Sequence, residues 1–247
     1  MRELQGDIYA LALRMLWNRE DAEDATQEIL VRIVTRLSQF TFRSRFRTWA
    51  YRVAVNWILD VKKSAIERLH LNFEQFSETL TQGLDAESPG EAERSLLIEE
   101  VKVGCTLAML QCLDRPHRLA YVLGEIMEFS GAEAADVLEI SPELFRKRLQ
   151  QARTAVLSFT KSYCGLASDD APCRCDRQAG KAVRDGRVNV HQLTFAESRS
   201  SFEETKAKVR QVEEARWALE VHRTSHPKAS SVDFARRLLE AFEDRNT

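Results

Sequence analysis

The chain has 247 residues, of which 44% are hydrophobic and 30% charged, and a formal net charge of -2. Nine glycines and five prolines are too few for a collagen-like or low-complexity chain, and the apolar content excludes global disorder. A charge so close to zero argues against a nucleic-acid partner only if it is evenly spread, since phosphate binding rests on Lys and Arg.

The length suits more than one ordinary domain and is short for three. No run approaches the roughly eighteen apolar residues of a membrane span. The opening Met1-Arg2-Glu3-Leu4 lacks the basic stretch and apolar core of a signal peptide. A cytoplasmic protein without membrane insertion is therefore expected. Five cysteines, odd in number and scattered, fit a reducing compartment in which thiols serve metals or redox chemistry.

Long stretches rich in Ala, Leu, Glu, Arg and Gln, with no sustained apolar-polar alternation, predict an all-α fold. The first helical block covers residues 1–65, and its charge is polarised. Up to Val31, the acids Glu3, Asp7, Glu20, Asp21, Glu23, Asp24 and Glu28 outnumber the bases. From Arg32 to Lys63, Arg32, Arg36, Arg43, Arg45, Arg47, Arg52, Lys62 and Lys63 are opposed only by Asp60. Two solvated faces that attract each other would be the plain explanation. Phe40, Phe42, Phe46, Trp49, Tyr51 and Trp57 interleave with the bases, however, a mixture suited to stacking unpaired bases while cations track phosphates. Trp49, Val53 and Trp57, at helical spacing, are equally readable as core. Phe42-Arg43-Ser44-Arg45-Phe46-Arg47 is too basic to bury and reads as a loop.

Residues 66–91, acidic and punctuated by Gly83, Ser88, Pro89 and Gly90, read as a solvated linker. A second helical domain is expected over 92–161. In it Ser130 and Glu133 form a capping box at a helix start, Glu139-Ile140-Ser141 makes a turn, and Pro142 opens a second helix. That helix would turn Leu144, Phe145, Leu149, Ala152 and Val156 inward. Arg146, Lys147, Arg148, Gln150, Gln151 and Arg153 would lie elsewhere, as in a helix-turn-helix recognition helix. Buried helical hairpins imitate this pattern.

Residues 162–247 form a third segment. Cys164, Cys173 and Cys175 could chelate a soft metal such as Cu(I) or zinc, although Cys-x-Cys is not zinc-ribbon spacing. Metal or redox sensing stands here beside a purely structural role. His191, or His222 and His226 four apart, could supply a fourth ligand but read more readily as polar-face residues, and Cys105 and Cys112 read as small buried apolar ones. Amphipathic helices are expected over 196–222 and 231–243, separated by Pro227. Their apolar stripes include Phe202, Val209, Trp217 and Leu219, then Phe234, Leu238, Leu239 and Phe242.

Asp21-Ala22-Glu23-Asp24-Ala25-Thr26-Gln27-Glu28 and Phe46-Arg47-Thr48-Trp49-Ala50-Tyr51-Arg52-Val53-Ala54-Val55-Asn56 resemble region two of bacterial extracytoplasmic-function (ECF) sigma factors. The segment from about Leu107 to Leu157 is similar to their region four. The resemblance implies a specificity subunit of RNA polymerase, without catalysis or a required cofactor. It assigns Asp21, Asp24, Gln27 and Glu28 to core RNA polymerase. It assigns Arg43, Arg45, Arg47, Trp49, Arg52 and Asn56 to the promoter DNA's minus-ten element, and Arg146, Lys147, Arg148 and Arg153 to its minus-thirty-five element. An anti-sigma protein is a further partner such factors take. Asp114-Arg115-Pro116 stands where the family usually has a Leu-Pro pair, and Trp57 follows Asn56 where a smaller residue is common. Two-domain members end near position 160, so the third segment is expected to fold back on the sigma domains or linker and set activity in cis, with Zn or Cu at the thiols if metal is the signal. A stand-alone helix-turn-helix regulator is the alternative. A thiol or zinc enzyme is a third reading, which lacks a recognisable partner set for the cysteines.

Overall fold

A computed structural model describes residues 2–61, 67–82, 91–197 and 202–243. The described residues form helices joined by turns and irregular stretches, with no strand beyond an isolated bridge between Cys164 and Cys173. Among them no helix is long and apolar enough to cross a membrane. The chain divides into two compact units, each described by itself. The first draws on Met1–His70, Arg115–Leu149 and Ala229–Thr247, the second on Leu71–Asp114 and Gln150–Lys228. These units interleave in sequence, unlike the consecutive blocks expected from composition. Gly, Pro and charge mark where the chain bends, whereas long-range burial decides which helices pack together.

The first unit begins with α1 (Arg2–Leu16) and α2 (Arg19–Thr35), joined through Trp17 at φ 51°. Asn18 caps α2 by accepting the Asp21 N–H at 2.9 Å, and Glu20 and Asp21 in its first turn suit the positive helix end. Packed with α3 (Phe46–Asp60), these helices bury Ile8, Leu11, Met15, Ile29, Ile33, Tyr51 and Ile58.

The next helices of the chain are α4 (Phe73–Thr81), α5 (Glu91–Gln111), α6 (Arg115–Tyr121), α7 (Gly131–Val137) and α8 (Pro142–Tyr163). In α6 the Arg115-Pro116 departure places Pro116 in the first turn, where its missing N–H costs nothing. Arg115 donates to both Glu67 carboxylate oxygens, at 2.9 and 2.7 Å, and to the carbonyls of Ile58, Leu59 and Val61, which close the C-terminal end of α3. Arg118 reaches Glu67 at 3.1 Å and also donates to the Met15 carbonyl. A π-helical turn over Val122–Ile126 continues α6. Gly124 lies in it because a Cβ there would stand 3.0 Å from a Leu149 methyl and 3.2 Å from the Phe145 ring, both on α8. Small residues Ala134 and Ala135 let α7 pack against α3.

In the second unit α4 lies inside the expected linker. Its Asn72–Gln75 capping box satisfies the helix start, and Phe76 stacks on Phe159 with ring centroids 5.3 Å apart. The Gly/Pro punctuation at 83–90 lies outside the described residues, as do the side chains of Leu239 and Phe242. The C-terminal segment adds α9 (Cys175–Arg184), α10 (Phe202–Arg210), α11 (Trp217–Arg223) and, in the first unit, α12 (Phe234–Glu243). α9 packs on α5. The buried carboxylate of Glu100 accepts the backbone N–H groups of Thr194, Phe195 and Ala196 at 2.7–2.9 Å and pins that turn.

Candidate functional site

α2 is two-faced. Ala22, Ala25, Thr26, Ile29, Leu30 and Ile33 are buried. Asp21, Asp24 and Glu28 are exposed on the other face and Gln27 is half-buried at its edge. The four residues assigned to polymerase thus share one ridge. Contact from α12 reaches that edge: Arg237 Nη1 donates to Gln27 Oε1 at 3.5 Å, and the Ser230 hydroxyl donates to Glu23 at 2.9 Å.

The aromatic residues before α3 form a cluster, with Phe40 lying 4.6 Å from Phe42, 5.7 Å from Phe46 and 5.5 Å from Trp49 between ring centroids. Phe42 is 84% exposed and sits at φ 60°, so the backbone bends to hold an apolar ring in solvent. Burial alone does not account for that ring. Arg43, Arg45 and Arg47 are exposed around it, and Arg47 lies over the Phe129 ring at 4.3 Å. Trp49 and Trp57 are half-buried, part core and part surface.

Sequence reasoning did not anticipate what faces these bases. The α7 helix and the turn after it present Glu133, Asp136 and Glu139, one acid every third residue. Arg52 Nη2 meets Asp136 at 2.6 Å and its Nε also donates to the Asp136 carbonyl; Arg45 meets Glu133 at 3.3 Å, and Asn56 donates to Glu139 at 3.2 Å. Hydrogen bonds from Ser130, with smaller help from Arg45 and Arg47, hold the Glu133 carboxyl below its ordinary range. With Arg47 Nη2 4.0 Å from Asp7 on α1, four of the side chains assigned to the minus-ten element already contact acids. The three-residue spacing was visible in the sequence, although its target was not.

On α8, Arg146, Lys147 and Arg153 are exposed and Arg148 is half-buried. Phe145, Leu149, Ala152 and Val156 are buried as expected, but Leu144 is 38% exposed. Its place beside the Ser141 cap, where the Leu144 N–H donates to the Ser141 hydroxyl at 3.2 Å, turns it outward in the first helical turn. Arg146 pairs with Glu143 at 3.2 Å.

In the second unit the Gly165 N–H donates to the Cys173 carbonyl at 2.8 Å, and the Cys173 N–H donates back to the Tyr163 carbonyl. A Cβ at Gly165 would stand 2.6 Å from the Cys173 carbonyl oxygen, so the bridge requires glycine. Cys173 and Cys175 are buried, Cys164 is half-buried, and no disulfide joins them. Cys105 on α5, read from the sequence as a packing residue, is electrostatically coupled to Cys164 and Cys175. Burial first, then its neighbouring thiols, pushes its thiol well above the ordinary value. Burial raises Cys164, Cys173 and Cys175 as well. Among the described residues no three His, Cys, Asp or Glu side chains are gathered so as to hold a metal ion. His191 and His226 are exposed and His222 is buried.

Comparison with known proteins places residues 1–65 in the Sigma-70 region 2 family. The ECF RNA polymerase sigma factor SigW of Bacillus subtilis is 30% identical over 155 residues, 60% of this chain and 80% of that protein. SigE of Mycolicibacterium smegmatis, another ECF RNA polymerase sigma factor, is 25% identical over 172 residues, 69% of this chain and 64% of its own. The RNA polymerase sigma-H factor of Pseudomonas aeruginosa is 28% identical over 160 residues, 62% of this chain and 79% of its own. The acidic ridge of α2, the exposed aromatic-basic cluster ahead of α3 and these relatives lead to one assignment: the chain belongs to the ECF sigma factors of RNA polymerase.

Proposed function

We propose that this alternative sigma factor docks on core RNA polymerase through the α2 ridge of Asp21, Asp24, Gln27 and Glu28, and captures the opened minus-ten element through Arg43, Arg45, Arg47, Trp49, Arg52 and Asn56. Arg146, Lys147, Arg148 and Arg153 then contact the minus-thirty-five element. The observation that carries this reading is the solvent-held Phe42 ring among exposed arginines, inside the segment that matches Sigma-70 region 2. Unstacking a base step costs a few kcal/mol, and aromatic faces beside cations offset it at roughly 1–3 kcal/mol per stacked base. An acidic ridge repels DNA and suits a basic protein partner.

Asp24→Arg with Gln27→Ala is expected to abolish co-purification with core polymerase while helicity is unchanged. Replacing Arg43, Arg45 and Arg47 by alanine is expected to weaken promoter opening more than polymerase binding. Retained polymerase binding by the first variant would overturn the assignment of α2, and failure of the wild-type chain to co-purify with core polymerase, with duplex DNA binding intact, would favour a stand-alone helix-turn-helix regulator.

The C-terminal extension sets activity in cis, with its thiols as the responsive group. Support for control in cis comes from the packing of α9 on α5 and of α12 on α2; the thiols, buried and held above their ordinary value, react only once they are exposed or deprotonated. Zn or Cu would need to draw these thiols together and displace their protons. Zn²⁺ and Cu(I) titration against a chromophoric chelator, on the full chain and on Cys173→Ser, tests the metal arm; run-off transcription with and without a peroxide tests the redox arm. Stoichiometric binding lost in the variant supports metal control, and peroxide-dependent output lost in it supports redox control. Absence of both removes the thiols from regulation.

A further inference from the structure

The C-terminal helix lies along the Gln27 edge of the ridge assigned to the polymerase, leaving Asp21, Asp24 and Glu28 exposed. α12 packs against α2 and α1, with Phe234 and Leu238 of its apolar stripe buried at 2% and 7% exposure. Its cationic side engages the acidic helix: Arg237 donates to Gln27, and Ser230, just ahead of α12, donates to Glu23 one turn earlier on α2. Gln27 is one of the four docking residues, and Glu23 adjoins Asp24. An acidic ridge attracts a basic partner, and a basic residue of the same chain already occupies its edge.

We propose that α12 is a tethered competitor of core RNA polymerase for α2, so that docking requires the C-terminal helix to leave. This rests on the assignment of α2 to the polymerase. The apparent Kd is raised by the inverse of the fraction of molecules in which α12 is released. The area seated by Phe234 and Leu238 favours the closed form, because buried apolar surface is returned to water on release. Arg237 adds selectivity for the acidic face more than strength, since exposed polar contacts contribute little.

The experiment measures binding of fluorescently labelled full-length chain to core polymerase for the wild type, for Phe234→Ser with Leu238→Ser, and for Arg237→Glu. Faster hydrogen exchange over residues 19–35 establishes that α12 has been released. The double variant is expected to bind about tenfold more tightly, as for a wild type about one-tenth open, and Arg237→Glu in the same direction by less. Asp24→Arg is added to the released background. If release is shown and affinity is unchanged while Asp24→Arg abolishes binding, α12 is not a competitor and the polymerase assignment stands. If Asp24→Arg leaves binding intact in that background, the assignment itself fails. Release with weaker binding also overturns the proposal, because α12 would then be part of the docking surface.

Discussion

Replacing Glu67 by alanine is expected to lower the stability of the first unit by about 3–5 kcal/mol, the range for removing one partner of a buried ion pair. Glu67 pairs with both Arg115 and Arg118, and its side chain is 4% exposed, as is that of Arg118. Without it both guanidinium groups lose the carboxylate they share, in a site that water reaches poorly. The damage would spread, because Arg115 also closes the carbonyl end of α3 and Arg118 holds the Met15 carbonyl at the end of α1. Urea unfolding followed by tryptophan fluorescence and circular dichroism provides the measurement. Glu67→Gln, which keeps the volume and an accepting oxygen, should lose less. A triple change of Glu67, Arg115 and Arg118 to methionine should recover part of the loss, because no charge is then left buried. A loss below about 1 kcal/mol for Glu67→Ala would show that the network is solvated, as surface pairs are.

Glu133→Gln, Asp136→Asn and Glu139→Gln together should increase affinity for single-stranded DNA by about tenfold, mainly from the loss of three negative charges, since the exposed pairs each contribute little. The amides keep the shape of the acids, and Glu133→Gln still completes the Ser130 capping box, which accepts either side chain. Arg45, Arg52 and Asn56 would then meet phosphate or base without first leaving a carboxylate. Anisotropy titrations over a range of salt are the direct check. The slope of log K against log salt should steepen by about 0.7 for each released cation that reaches a phosphate of single-stranded DNA. Unchanged affinity and slope would mean that these pairs are not in competition with DNA.

The physics that sequence carries locally was legible here. Ser130, Glu133, Ser141 and Pro142 behave as their chemistry dictates, and the α7–α8 turn falls where they put it. The charge inversion between α2 and α3 was legible too, because exposed charge needs no partner to be recognised. What stayed hidden depends on neighbours distant in the chain. The acidic stretch after Glu67 looked solvated, yet Glu67 is the buried centre of a two-arginine network and the residues after it form α4. Arg115 looked like a departure from a family pattern, and its worth lies in carbonyls more than fifty positions away. Leu144 looked like core because helical periodicity counts residues from an idealised start, while the cap fixes the rotation of the first turn. Cys105 gave no signal, since nothing in the sequence sets it near Cys164.

The interleaved first unit also imposes an order in time. Arg237 and Gln27, joined by a hydrogen bond, are separated by 210 positions. During synthesis α1, α2 and α3 emerge long before α12 exists, so the Gln27 edge of the acidic ridge is bare on the ribosome and is engaged only once α12 has been made. A chain shortened by proteolysis ahead of Ala229 would return to that bare state. Proteolytic clipping and unfinished synthesis therefore have the same structural result, an α2 ridge with no α12 at its Gln27 edge.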